Sequence, residues 1–269
     1  SSRYVVRVSY ASDQIATTLA GYLAAGRGRP KRIYMIAADD PAGRDMLAAF
    51  RHAYEAAGGE IVGETYVPRS AADFAPYLLK LRLTGAEMAF AHFSGPAAEQ
   101  FVSAYHELRL QSSIKLAGTG WLVSPFHRGN LRLDLIAGAV GAVDYLPDTA
   151  TPAGGEFARR FAARYGTLPS EHAAHGYDAG RLILAALRAV RGRTTDRPVW
   201  ARALADTPFE GSRGAVRMDP ATNNVVEDIL VVKNTFGQAA DAAAGTGALN
   251  GTVLARVPAV KQPNEGCKL

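Results

Sequence analysis

Residues 33–50 read IYMIAADDPAGRDMLAAF. The apolar run 33–38 has the near-continuous hydrophobicity of a strand buried on both faces of a parallel sheet. It stops at Asp39 and Asp40, and Pro41 follows at once. Met46, Phe50 and Tyr54 then recur at helical spacing. A buried strand that turns directly into an amphipathic helix is the building unit of α/β folds. Asp40 suits the N-cap, where a side-chain oxygen accepts from the free N–H groups of the first turn. Pro41 suits the first helical position, where its missing N–H is not needed. The acids have a second possible use, because the carboxyl ends of strands in an open α/β sheet are where ligands bind.

The same alternation extends outward. The segment 4–10 (YVVRVSY) is β-rich, and Asp13 can cap a helix over 14–25. Gly58-Gly59 ends the helix after Pro41. A strand over 61–67, a helix over 72–83, a short buried strand over 88–93 and a helix from Pro96 follow. A strand over 114–117 ends in Gly118-Thr119-Gly120, and 135–144 reads as one more strand. Repeated β-then-α units predict a doubly wound parallel sheet. The second half differs. Past a turn-rich boundary at 148–155, helices are predicted over 153–165, 172–191 and 196–205. Short strands are predicted at 215–218 and 229–233, and a loose Ala/Gly-rich loop at 237–251. These helices need an apolar sheet to cover, and the second half supplies little of one.

Bulk properties narrow the function classes. The chain has 269 residues, 48% hydrophobic and 20% charged, which suits an ordinary globular protein. No apolar run approaches the roughly 20 residues needed to span a bilayer, so no stable membrane insertion is expected. The net charge is +5, but the basic residues are scattered. The densest group, Arg27, Arg29, Lys31 and Arg32, sits in a turn without interleaved aromatics, which argues against nucleic-acid binding. Ser1-Ser2-Arg3 leads straight into the first β-rich stretch with no signal-peptide pattern. Cys267 is the only cysteine, so no internal disulfide is available.

The ordered set YVVRVSYASDQ (4–14), AFRHAYEAAGGEIVGETYVP (49–68), ADFAPYLLKLR (72–82), LAGTGWL (116–122), YLPDTATP (145–152), ARYGTLPSEHAAHGYDAGRLI (163–183) and SRGAVRMDPATNN (212–224) resembles type I periplasmic solute-binding proteins of ABC importers. The resemblance is to the branched-chain amino-acid-binding family, closest to the branch associated with aromatic compounds. It implies two doubly wound α/β lobes joined by crossing strands, with ligand held in the cleft. On that map 1–10 is the first hinge crossing and 11–143 a complete second lobe. Residues 144–211 are the helical part of the first lobe. The third crossing, an added strand of the second lobe and the tail fall in 212–269. The N-terminal part of the first lobe would be absent, so a fragment or truncated product is expected.

Relatives often place an aromatic residue at position 40 or 42; here Asp40 and Ala42 stand there as candidate contacts, a departure that argues against an aromatic clamp from this loop and for Asp40 as a cap. The resemblance also points to Phe93, Ser94, Gly118, Thr119 and Trp121 on strand ends of the second lobe. Tyr10 and Tyr145 mark the crossings, and His172 lies where the first lobe contributes a side chain. Amino-acid binders of the family tend to hold the ligand ammonium with an acid near position 120. Gly120 offers none, and Trp121 offers an aromatic wall, so a small carboxylate with an apolar or aromatic body is expected, with an amino acid as the alternative. Gly118–Gly120 is no nucleotide loop, because neither GxGxxG nor a GK[ST] ending is present. Glu171, His172 and His175 could form a metal set, but no second ligand cluster accompanies them, and no metal or cofactor is expected. GxSxG and HExxH are absent, so no enzyme is expected. The expected role is an extracytoplasmic, periplasmic binding protein that hands a small molecule to importer membrane subunits. The alternative is a ligand-sensing domain of a receptor or regulator with the same fold.

Overall fold

The computed structural model describes residues 2–26, 28–122, 133–147, 151–236 and 249–263. Two compact units account for the chain. One is Ser1–Gln14, Asp144–Ile229 and Val257–Leu269, here the helical unit. The other is Ile15–Val143 and Leu230–Arg256, here the sheet unit.

In the sheet unit, helix α1 (Ser12–Ala24) leads to β1 (Arg32–Ala38), α2 (Pro41–Ala56), β2 (Glu60–Val67), α3 (Ala75–Arg82), β3 (Met88–His92), α4 (Gly95–Glu107), β4 (Lys115–Thr119) and β5 (Val140–Val143). The strand order is β2-β1-β3-β4-β5, all parallel. Phe50 of α2 stacks on Phe90 of β3 with ring centroids 3.9 Å apart, which fixes α2 on one face. Phe93 packs against Phe74 and Phe101 on the other face, where α4 lies. This is the two-sided burial that the run 33–38 anticipated, and Ile33, Met35 and Ile36 are all fully buried. The join between β1 and α2 is tight. A Cβ on Gly43 would lie 2.1 Å from the Ala38 carbonyl oxygen, so only glycine lets the first turn come this close.

The helical unit contains α5 (Pro152–Tyr165), α6 (Glu171–Ala189), α7 (Arg197–Asp206), β6 (Phe209–Gly211) and β7 (Gly214–Met218). Strands β6 and β7 form an antiparallel pair. β7 also pairs with the start of β8 (Val225–Phe236), whose later residues 230–233 lie antiparallel to β5 in the sheet unit. Its core gathers Leu182, Phe209, Val216, Met218 and Val225, and a second group holds Tyr145, Phe157 and Ala174. Ile183 and Leu184 on α6 and Val199 on α7 remain exposed. These are the helices for which the sequence supplied too little sheet.

Three expectations change. Of the strand expected over 135–144 only β5 forms, because Leu133–Ile136 makes a 3₁₀ turn. The segment 4–10 forms no regular strand; it makes one parallel bridge, Arg7 to Asn224. β propensity without a continuous partner backbone does not make a ladder. Strand β9 (Leu249–Val260) pairs with β8, although the sequence read as loop through 251. Most of its side chains from 251 on are exposed or half-buried, so no alternating apolar pattern advertises it. Arg27 and Cys267 lie outside the described residues. Among the described residues, no helix is long and apolar enough to cross a membrane.

The stacked pair across α2 and β3 gives the first test. Phe50→Ala leaves a cavity in a fully buried site and is expected to cost about 3–5 kcal/mol in urea unfolding.

Candidate functional site

The strand order creates a switch point. From β1 the chain crosses through α2 to β2 on one side, while β3 continues through α4 to β4 on the other. Loops at the carboxyl ends of β1 and β3 therefore diverge and leave a crevice, the place where open α/β sheets bind ligands. A cavity of about 360 Å³ lies at these strand ends, with Asp40, Arg69, Phe74, Phe93, Ser94 and Gln100 among its lining residues.

Asp40 is extended and its Oδ1 accepts from the Gly43 N–H at 2.8 Å, so it caps α2. It lines the cavity as well. Asp39 is occupied differently, in an ion pair with Arg44 at 2.5 Å. Ala42 is exposed on the first turn of α2. Ser94 is the N-cap of α4 but its hydroxyl makes no capping bond, and Gly95 turns the chain at a φ of 56°. Phe93 is 2% exposed and belongs to the aromatic packing beneath the cavity.

A Cβ on Gly118 would lie 2.9 Å from the Ala91 carbonyl, so this glycine permits close approach of β3. Trp121 lies in the short 3₁₀ turn Gly120–Leu122. Thr119 is buried, and its Oγ1 is 2.5 Å from Nδ1 of His92. Burial pushes the His92 imidazole toward its neutral form, and Asp40 pushes weakly the other way. His92 was not among the residues the sequence singled out. A histidine closing an otherwise apolar strand (MAFAH) was the signal that could have found it.

The remaining candidates lie in the helical unit. Tyr145 is buried against Phe157. His172 is exposed at the start of α6, its ring 6.1 Å from that of His175. Tyr10 meets His175 edge to face at 5.9 Å. Burial first, then the carboxyls of Glu171, Asp144 and Glu227, hold the Tyr10 phenol protonated. Behind these residues is a buried ionic knot. Arg213 donates from Nε to Asp178 at 2.9 Å, from Nη1 to Asp144 at 2.8 Å and to Glu227, and from Nη2 to the Val8 carbonyl at 2.5 Å. His175 Nε2 is 2.5 Å from the same Asp144 oxygen. Burial first, and then the nearby Asp144 charge, raise the Glu227 carboxyl well above its ordinary value, while Arg213 pulls the other way. Burial likewise pushes Glu171 up to about 8, with Asp144 adding to the shift. Glu171, His172 and His175 do not assemble a metal site, and no such group is found among the described residues. Arg213 lies in the stretch SRGAVRMDPATNN that carried the resemblance, but was not singled out as a site residue.

Comparison with known proteins adds three findings. A family model described as periplasmic binding protein matches residues 1–241. The Leu/Ile/Val-binding protein homolog 6 of Brucella abortus (strain 2308) is 28% identical over 237 residues, covering 86% of this chain and 59% of that protein. The chain thus spans about 59% of the length of the curated relatives it matches. Two solved structures superpose closely. An ABC transporter substrate-binding protein from Sphaerobacter thermophilus has a TM-score of 0.84 and 32% identity, covering 97% of this chain and 69% of that one. An ABC transporter solute binding protein from Rhodopseudomonas palustris BisB5, crystallised with 3,4-dihydroxy benzoic acid, has a TM-score of 0.82 and 27% identity, covering 98% and 70%.

Two measurements follow from this geometry. Asp40→Ala removes the α2 cap and is expected to cost about 1 kcal/mol in thermal or urea unfolding. Glu171 gives a pH dependence: its carboxyl titrates near 4.5 when unfolded and near about 8 when folded. Between those values the unfolded chain releases a proton that the folded chain keeps, so this contribution is full at low pH and lost as pH rises. Glu171→Gln is expected to flatten that decline in melting temperature over pH 5–8.

Proposed function

We propose, on the premise that the chain belongs to the periplasmic binding protein family, that it is the solute-binding component of an ABC importer. Its ligand is a small carboxylate with an apolar or aromatic body, and an amino acid is the alternative. The observation that carries this reading is the crevice at the switch point between β1 and β3. Its wall combines Phe74 and Phe93 with Asp40, Arg69, Ser70, Ser94 and Gln100, so it offers both an apolar surface and polar groups to a small molecule. The relative crystallised with 3,4-dihydroxy benzoic acid supports the aromatic side of the reading. So does Gly120, which offers no carboxylate to a ligand ammonium. The relatives named for leucine, isoleucine and valine support the amino-acid side.

On this reading the sheet unit is the complete second lobe, and the helical unit is the part of the first lobe that this sequence carries. Ligand contacts made only in the closed form stabilise closure, and importer membrane subunits recognise that form. The mechanism requires no covalent step and no cofactor. The role places the protein outside the cytoplasm, in the periplasm.

A thermal-shift panel on the full-length protein tests this. A ligand at a hundredfold excess over its Kd is expected to stabilise by about 2.7 kcal/mol. Stabilisation by benzoates supports the aromatic reading. Stabilisation by leucine with none by benzoates overturns that preference, and no stabilisation by either class overturns the binding role.

A further inference from the structure

The ends of β1 and β2 are tied together, because the Asp39 N–H donates to the Val67 carbonyl at 2.8 Å. The chain then turns at 68–71, where the Ala71 N–H donates to the Pro68 carbonyl at 2.9 Å. Arg69 and Ser70 take the two central positions of that turn, and both line the cavity of about 360 Å³ at the strand ends. Arg69 is the one base and Asp40 the one acid among its described lining residues. The other arginine of this region is already committed. Arg44 pairs with Asp39 at 2.5 Å and lies 4.6 Å from the centre of the Tyr66 ring. Arg69 has neither an acid nor a ring as partner among the described residues. Asp40 spends Oδ1 on the Gly43 N–H, and its Oδ2 bonds to no described residue. The apolar part of the wall is Phe74 and Phe93, which meet edge to face at 5.3 Å.

We propose that the guanidinium of Arg69 holds the carboxylate of the bound solute and that Asp40 turns away a second one, so that this cavity takes monocarboxylates and refuses dicarboxylates. The inference rests on the binding role proposed above and assigns its charge recognition to two residues of the same cavity. A guanidinium presents a planar fork that meets a carboxylate with two parallel hydrogen bonds. The closed turn fixes the backbone of Arg69 at the strand ends, so the fork starts from a defined position. An acid held there lays its apolar body against Phe74 and Phe93. A second carboxylate would share the cavity with Asp40. Like charges confined together repel, and little water is present to screen them. Asp40 cannot swing aside without cost, because its other oxygen caps α2.

Isothermal titration of the full-length protein with benzoate, benzamide and terephthalate tests this. Benzamide keeps the ring and removes the charge, and terephthalate adds a second carboxylate. Benzoate is expected to bind about tenfold or more tightly than benzamide. Arg69→Gln is expected to bring benzoate to within about twofold of benzamide, while Arg69→Lys keeps the charge without the fork and loses only part of the preference. Arg69 is exposed in its turn, so both replacements spare the fold. Asp40→Asn keeps an oxygen for the cap and is expected to raise terephthalate affinity about tenfold relative to benzoate. If the protein binds leucine and no benzoate, then L-leucine, L-leucinamide and L-glutamate replace the three probes, and each variant is expected to move them in the same directions. A preference for the acid over the amide that is absent, or that survives Arg69→Gln, overturns the role of Arg69. A dicarboxylate that binds the wild type as tightly as the monocarboxylate, or that gains nothing from Asp40→Asn, overturns the role of Asp40. Each of these outcomes leaves the binding role standing. Failure of every solute to bind overturns both.

Discussion

Arg213 is the constraint on which the helical unit depends. Its guanidinium is buried among Asp144, Asp178 and Glu227, and it also holds the Val8 carbonyl. Burial alone would weaken its hold on the proton; the carboxylates more than compensate. A buried ion cluster of this kind adds little net stability compared with a well-packed apolar core, because desolvation offsets attraction. Its value lies in geometry, since each partner has one position that satisfies the planar fork. Val8, Asp144 and Glu227 come from three separate stretches of sequence, each close to a point where the chain passes out of the unit. One side chain therefore ties the strandless stretch 4–10 to the start of β8 and to the residue that follows β5.

The knot also sets the surroundings of the candidate residues in that unit. Asp144 anchors His175, and His175 positions Tyr10 and neighbours His172. Asp178 accepts from the Ser212 N–H at 2.5 Å, which closes the turn that delivers Arg213. A Cβ on Gly211 would strike the Asp178 carboxylate, so the β6–β7 turn fits around the ion pair. The sheet unit works by a different principle. There the ion pairs, such as Arg44–Asp39 and Arg51–Glu64, lie at partly exposed side chains, and the core is made of stacked aromatic rings. A rigid apolar floor with a sparse polar rim is the arrangement that binds small solutes with specificity.

Much of this was legible in residues 33–50. Asp40 was read as a cap, Pro41 as a first helical residue and 33–38 as a buried strand, and each assignment depends only on near neighbours. The family resemblance carried further, because an ordered set of short motifs survives where no single motif is specific. The edge strand β9 escaped notice because its exposed side chains carry no period. The bond between His92 and Thr119 escaped because it joins residues 27 apart in sequence, through the register of two strands.

The sequence by itself determined the alternation of strands and helices, the cap at Asp40 and the α/β class, because these are written in local propensity and hydrophobic period. Only the tertiary structure decided which polar residues act together. Strand order brought His92 beside Thr119, and burial made one arginine the common partner of Asp144, Asp178 and Glu227. Both follow from where the backbone places side chains after folding, and hydrogen bonds and ion pairs depend on that distance rather than on separation along the chain.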